Sequence, residues 1–313
     1  MIEILQAIIY VAAFVVIWYA SGLIIASVER LAHRLNLSPF AASFFLLGIL
    51  SSLPEFSVGI NSLISHEPEI FVGNLIGATI VLFLFVIPVL AIFGNGIQIT
   101  HQLNEKDLIF ALMVIVTPVF LIADNLVTRT EGVFLIAIYA ILIYFIEKKK
   151  GLLERIKDKI LFDGKSFIVD LYKTLFAMVV IFIASKYIVD QTIVYSEALR
   201  IPVFLVSILF LSLGTNLPEL SIALRAILMG KKNIAFGDYI GSASANTLIF
   251  GILTLLNRQR INIQIYSFKT MLIMLIGLGF FYLFSRTKND ISRKEGLILF
   301  FFYMCFIAME LCI

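Results

Sequence analysis

The chain has 313 residues, 61% hydrophobic and 14% charged, with a net charge of +3 and a mean hydropathy of +1.03. Soluble domains hold about 45–50% apolar and about 25% charged residues, so this composition excludes a soluble globular protein and marks an integral membrane protein. No phosphate-binding glycine loop or dinucleotide fingerprint occurs, which argues against ATP-driven pumping, and the small net charge gives no reason to expect a nucleic-acid partner. Cys305 and Cys312 lie in the last apolar segment and imply neither a disulfide framework nor a metal site.

About 20 apolar residues cross the hydrocarbon core as a helix. Ten such stretches follow in order: 4–28, 38–65, 69–93, 107–127, 130–146, 168–189, 199–229, 234–256, 267–285 and 294–312. The first is too long for a signal-peptide core and has no basic leader, so it reads as a span. Trp18 within it reads as packing or lipid contact. The longest polar segment, Glu147–Lys165, is rich in Lys and reads as a cytoplasmic linker. Within it, a solvated stretch is preferred over an amphipathic surface helix at Leu152–Leu161. With the N-terminus outside, Lys and Arg in loops divide 17 inside to 5 outside, which supports N-out and C-out.

A shift of 164 residues superposes two segments without a gap. Leu53, Pro54, Glu55 and Ser57 meet Leu217, Pro218, Glu219 and Ser221. Ile70, Gly73, Ile76, Gly77 and Leu84 meet Ile234, Gly237, Ile240, Gly241 and Leu248. Five spans per half is an odd number, so the second half enters the membrane upside down, as in secondary transporters. The expected fold is therefore all-α, an integral membrane protein with ten transmembrane helices as two inverted five-helix repeats. The first repeat covers 1–146, the linker 147–167 and the second repeat 168–313.

Glu55 and Glu219 stand in the middle of apolar spans, and a carboxylate at that depth is costly enough to suggest function. Gly48, Ser51, Ser52 and Glu55 are spaced i, i+3, i+4, i+7, on one helix face. Ser212, Thr215, Asn216 and Glu219 repeat that spacing. Each stripe supplies hydroxyl or amide oxygens and one carboxylate, the donors that hard cations such as Ca²⁺ take six to eight of. Pro54 and Pro218 deny the carbonyls of Leu50 and Gly214 their helical partner, and such carbonyls can coordinate ions. Ser242 and Asn246 share a face at i, i+4 and are candidates to meet Glu219 or Glu55.

Other polar residues have plainer readings. Asp238 reads as a helix-end cap rather than a functional acid. Asp124, Asn125 and Glu310 read as interfacial. Lys186 and Asp190, at i, i+4, are expected to pair. Arg225 is expected to snorkel to the inner face. His33, His66 and His101 all sit at loop ends, which leaves an intramembrane enzyme without a nucleophile–base pair or metal triad. A cation channel could line a pore with carboxylates, but the inverted duplication favours alternating access.

At these residues the chain resembles the calcium:cation antiporter superfamily, which holds sodium/calcium and proton/calcium exchangers. Its pattern is a pair of Gly-Thr-Ser-Leu-Pro-Glu stretches, each followed by Gly-Asn-x-x-Gly-Ser-Asn. Gly214-Thr215-Asn216-Leu217-Pro218-Glu219 matches with one change, and Leu50-Ser51-Ser52-Leu53-Pro54-Glu55 with two. The following stretches begin at Gly73 and Gly237. The resemblance implies ten transmembrane helices, alternating access and two glutamates shared as calcium ligands. Carried over position by position, the site is Gly48, Ser51, Ser52, Glu55, Ser212, Thr215, Asn216, Glu219, Ser242 and Asn246.

Departures bear on the counter-ion. Ala78 stands where the family usually has Ser, and Leu82 where it has an Asn or Asp ligand. Asn246 stands where sodium-coupled members often carry Asp and proton-coupled members Asn. The charge of the glutamate pair is matched by one Ca²⁺, two Na⁺ or two H⁺, so the residues themselves leave the coupling ion open. The resemblance implies Ca²⁺ exchanged for a monovalent cation, with Na⁺ favoured over H⁺. It also implies a multi-pass protein of the cell membrane that works as a monomer without a prosthetic cofactor.

Overall fold

Helices dominate because apolar runs with no solvent for their backbone must satisfy every N–H and C=O internally. The computed structural model describes residues 2–34, 44, 48–98, 105–150, 164–220, 224, 233–263, 268–286 and 290–311. The first half runs α1 (Ile2–Arg34), α2 (Gly48–Ser51), α3 (Leu53–Ile64), α4 (Glu69–Val81), α5 (Ile87–Phe93), α6 (Glu105–Leu121) and α7 (Arg129–Lys150). The second runs α8 (Gly164–Leu199), α9 (Val203–Val206), α10 (Ser212–Thr215), α11 (Asn233–Leu256), α12 (Phe268–Arg286) and α13 (Arg293–Leu311). A π-helical turn at Leu82–Val86 joins α4 to α5, and another at Ser207–Leu211 joins α9 to α10. α7 and α8 both extend into the segment read as linker, and the stretch Leu152–Leu161 lies outside the described residues.

Among the described residues, seven helical stretches are long and apolar enough to cross a membrane: Gln6–Ile24, Glu69–Phe93, Glu105–Asp124, Arg129–Ile146, Tyr172–Leu199, Tyr239–Leu256 and Phe268–Arg286. The expected spans 38–65 and 199–229 differ from this because neither is one unbroken helix. Ser52 interrupts the first and Asn216 the second, each two residues before a proline that has no N–H to continue the ladder. The last stretch, α13, carries Arg293, Lys294, Glu295 and Glu310. The central layer is clear from burial. The Glu69–Phe93 stretch is 83% buried and Tyr239–Leu256 78%, against at most 44% for the other five.

Two short strand pairs tie the halves together. β1 (Ile97–Gln98) pairs antiparallel with β4 (Asp290–Ile291), and β2 (Leu126–Val127) with β3 (Ile261–Asn262). The register Ile97↔Ile291 becomes Val127↔Ile261 when 164 residues are added to one partner and removed from the other. β1 precedes α6 and pairs with the strand that follows α12; β2 follows α6 and pairs with the strand that precedes α12. The equivalent helices α6 and α12 therefore run in opposite directions. The N-termini of α7 and α13 repeat one capping box. The Glu131 carboxylate accepts the Thr128 amide at 2.6 Å, and Glu295 accepts that of Ser292 at 2.7 Å.

α1 lies along α8 and is pinned to it at both ends. Arg30 pairs with Asp170 at 2.7 Å, and Tyr10 meets Thr192 at 3.0 Å. α3 reaches α8 through Asn61, whose amide donates to the Ser185 hydroxyl at 2.8 Å. Lys186 pairs with Asp190 at 2.6 Å, as its spacing indicated. Pro118 within α6 leaves the Val114 carbonyl without a helical donor, and Thr247 of α11 supplies one at 3.1 Å. Glu310, in the last turn of α13, is buried, and Thr270 of α12 donates its hydroxyl to one of its oxygens.

Candidate cation site

The helix breaks create the site. Ser52 occupies the N-cap position of α3 with its hydroxyl turned elsewhere, and Pro54 falls in the first turn, where a missing N–H leaves no bond unmade. Glu55 shares that turn, where the helix dipole favours negative charge. Asn216 ends α10, and Pro218 and Glu219 follow in the helical turn 217–220. Both carboxylates are withdrawn from the surface, Glu55 at 1% exposure and Glu219 at 0%.

Two hydrogen-bonded groups cross between the halves. In one, Ser242 of α11 donates to Glu219 Oε1 at 3.3 Å, and the Ser52 and Ser242 hydroxyls meet at 3.0 Å. Ser52 also lies 3.0 Å from the Gly48 carbonyl. In the other, Thr215 of α10 donates to Asn74 Oδ1 on α4 at 3.2 Å. Residues of the first stripe thus meet those of the second half, and the reverse.

The close approach behind this needs glycine. A Cβ at Gly48 would stand 2.5 Å from the carbonyl carbon of Gly241. A Cβ at Gly241 would overlap the Phe44 carbonyl oxygen, and one at Gly77 the Ile208 carbonyl oxygen. Phe44 and Ile208 are related by the same 164-residue shift as Gly77 and Gly241. Backbone therefore meets backbone at equivalent points of the two halves.

All ten expected site residues are described, and most converge. Glu219, Ser52, Thr215 and Ser242 belong to the cross-bonded groups, Glu55 is buried in the first turn of α3, and Gly48 packs against α11. Ser51 is buried and turns its hydroxyl toward the Gly48 carbonyl at 3.5 Å. Two residues turn back on their own helix instead. Ser212 donates to the Ile208 carbonyl at 2.6 Å, and Asn216 to the Ser212 carbonyl at 2.8 Å. Asn246 lies one turn beyond Ser242, beside a cavity of about 10 Å³ that Thr79 and Thr247 also line. The side chains of Arg225 and Asp238 lie outside the described residues.

Among the described residues expected at the site, Glu55 Oε2 and Asn246 Oδ1 are buried acceptors with no hydrogen-bond partner. Buried polar atoms are almost always matched, so unmatched oxygens beside a carboxylate mark room for a donor or a cation. Among the described residues no three His, Cys, Asp or Glu side chains gather as a metal cluster. The oxygens at hand are carboxylate, hydroxyl, amide and carbonyl, a hard-cation set. Asn74 was missed by sequence reasoning. It is fully buried and holds Thr215, and its place opposite Asp238 under the 164-residue shift was the available signal.

The halves are not equal here. Ala78 occupies the position equivalent to Ser242, and Leu82 that of Asn246. Leu82 packs into the main apolar core within the π-helical turn. The first half contributes fewer oxygens as a result.

The inner membrane protein YrbG of Escherichia coli is 23% identical over 97% of this chain and 95% of its own length. The sodium/calcium exchanger MaX1 of Methanosarcina acetivorans is 31% identical over 46% of this chain and 41% of its own. A structure of the sodium-calcium exchanger NCX_Mj soaked with Na⁺ and Sr²⁺ superposes with a TM-score of 0.71 at 22% identity, covering 97% of this chain and 98% of that one; the fold is shared. The sodium/calcium exchanger protein family model matches residues 5–147 and 171–311, nearly the whole chain on both sides of the central polar segment, and the chain belongs to that family.

Proposed function

We propose that this protein is a secondary antiporter that exchanges Ca²⁺ for a monovalent cation, by alternating access, at a site centred on Glu55 and Glu219. The observation that carries this reading is the pair itself. Two fully buried carboxylates stand at equivalent helix breaks, and Glu219 accepts a hydrogen bond from the Ser242 hydroxyl. Burying ionised carboxylates without cations is expensive, so the site calls for charge from outside the chain. Gly48, Ser51, Ser52, Ser212, Thr215, Asn216, Ser242 and Asn246 complete the proposed oxygen shell, with Asn74 behind Thr215.

The proposed frame is ten transmembrane helices in two inverted repeats, 1–146 and 168–313, joined by a cytoplasmic linker at 147–167. The opposite directions of α6 and α12, the exchanged strand pairs and the repeated capping boxes support it. The 17-to-5 division of loop Lys and Arg supports an orientation with both termini outside the cell membrane. The names of the relatives, a sodium/calcium exchanger among them, support Ca²⁺ and Na⁺ as the ions and a transporter rather than an enzyme.

One observation favours a second reading, Ca²⁺/H⁺ antiport. Ala78 and Leu82 offer no side-chain oxygen, and two protons need only the carboxylates. Calorimetric Ca²⁺ binding to the purified protein, repeated in Na⁺ and across pH, tests the assignment. Competition by Na⁺ at fixed pH supports Na⁺ coupling, and competition by protons alone supports the second reading. Ca²⁺ binding that neither ion affects overturns both.

A further inference from the structure

A cavity of about 410 Å³ opens between the π-helical turn after α9 and the end of α13, and it shares no residue with the glutamate site. Leu205, Leu209, Phe210 and Leu311 supply apolar wall, and Arg200 and Glu310 are its charged lining. Phe210 and Leu311 are each more than half exposed, so the mouth faces the side that lipid occupies. Arg200 ends α8 in a left-handed conformation, and Glu310 sits in the last turn of α13. Both charges therefore lie at helix ends, the depth of lipid head groups.

Glu310 is the second observation. It is 4% exposed; Thr270 holds one of its oxygens, and Oε2 has no hydrogen-bond partner. Exposed Lys269 adds electrostatic attraction. The other half has nothing like it, since Ile146 and Lys106 occupy the positions equivalent to Glu310 and Thr270. An unmatched carboxylate oxygen in an apolar cavity is costly unless a donor arrives from outside.

We propose that this cavity binds one phospholipid whose head group carries a primary ammonium. The ammonium donates to Glu310 Oε2, the Arg200 guanidinium holds the phosphate, and an acyl chain lies along Leu205, Leu209 and Phe210. Charge sets this choice. The cavity presents one cation and one anion, the complement of a zwitterionic head group, and a guanidinium suits phosphate geometry. A trimethylated head group has the same net charge but no N–H for Oε2.

Native mass spectrometry of the full chain, in micelles with equimolar phosphatidylethanolamine, phosphatidylcholine and phosphatidylglycerol, reads the result. The wild type is expected to retain one phosphatidylethanolamine, about tenfold over phosphatidylcholine, the ratio that one charged hydrogen bond supplies. Glu310→Gln keeps a partner for Thr270 and should bring that ratio close to one. Arg200→Gln, at an exposed position, should lower retention of all three. Equal retention of the ethanolamine and choline lipids by the wild type overturns the proposal, as does preference for phosphatidylglycerol. Unchanged selectivity in Glu310→Gln does the same. The wild-type comparison stands alone if a variant fails to fold.

Discussion

Ser242 gives Glu219 a hydroxyl at 3.3 Å, whereas Ala78, at the same place in the other half, has none to give Glu55. The glutamate pair is thus served unequally. The second half holds its carboxylate through α11, while Glu55 Oε2 has no hydrogen-bond partner.

That inequality can be measured. Ser242→Ala removes a hydrogen bond to a charged group and should weaken Ca²⁺ binding about tenfold. Ala78→Ser restores the missing hydroxyl and should tighten it. Isothermal calorimetry on both variants checks the pair, and unchanged affinity in Ser242→Ala would remove Ser242 from the site.

Glu55→Gln and Glu219→Gln should each abolish Ca²⁺ transport while the protein still folds, because a neutral amide suits a buried site better than an unpaired charge. Thermal unfolding and vesicle flux on the same preparation separate the two effects. Near-normal flux in either variant would remove that glutamate from the transport path.

Much of this was legible in the sequence because Glu55 and Glu219 are polar exceptions in apolar runs and recur at one offset. Other features left weaker marks. The strands at Ile97–Gln98 and Ile261–Asn262 are two residues long, too short for any alternation of side chains to show. The break at Ser52 is set by Pro54, which apolarity averages away. The contact of Glu310 with Thr270 joins residues 40 apart, which no local pattern marks. Asn74 has no local mark of its role, because its partner Thr215 lies 141 residues later.

Gly77→Ala and Gly241→Ala should each destabilise the protein by about 1–3 kcal/mol, since the new Cβ would overlap the carbonyl of Ile208 or Phe44 rather than a yielding side chain. Gly22→Ala is the control, because a Cβ there meets nothing within 4 Å. Thermal unfolding in detergent compares the three. A loss in the control equal to that at Gly77 would remove the close-approach argument.

The orientation has its own readout. In a variant without native cysteines, a cysteine at Lys149 should react with an impermeant reagent only from the cytoplasm, and one at Glu67 only from outside. Labelling of both from one side would contradict the inverted arrangement.

The most direct measurement is ⁴⁵Ca²⁺ flux in proteoliposomes, with Na⁺ and pH gradients imposed separately. Antiport requires that Ca²⁺ uptake stop when neither Na⁺ nor H⁺ is available on the trans side, and that an outward Na⁺ gradient drive it. Two-for-one exchange at the glutamate pair would also leave the flux insensitive to clamped voltage. Sustained Ca²⁺ flux without any trans cation would identify a channel and contradict the account.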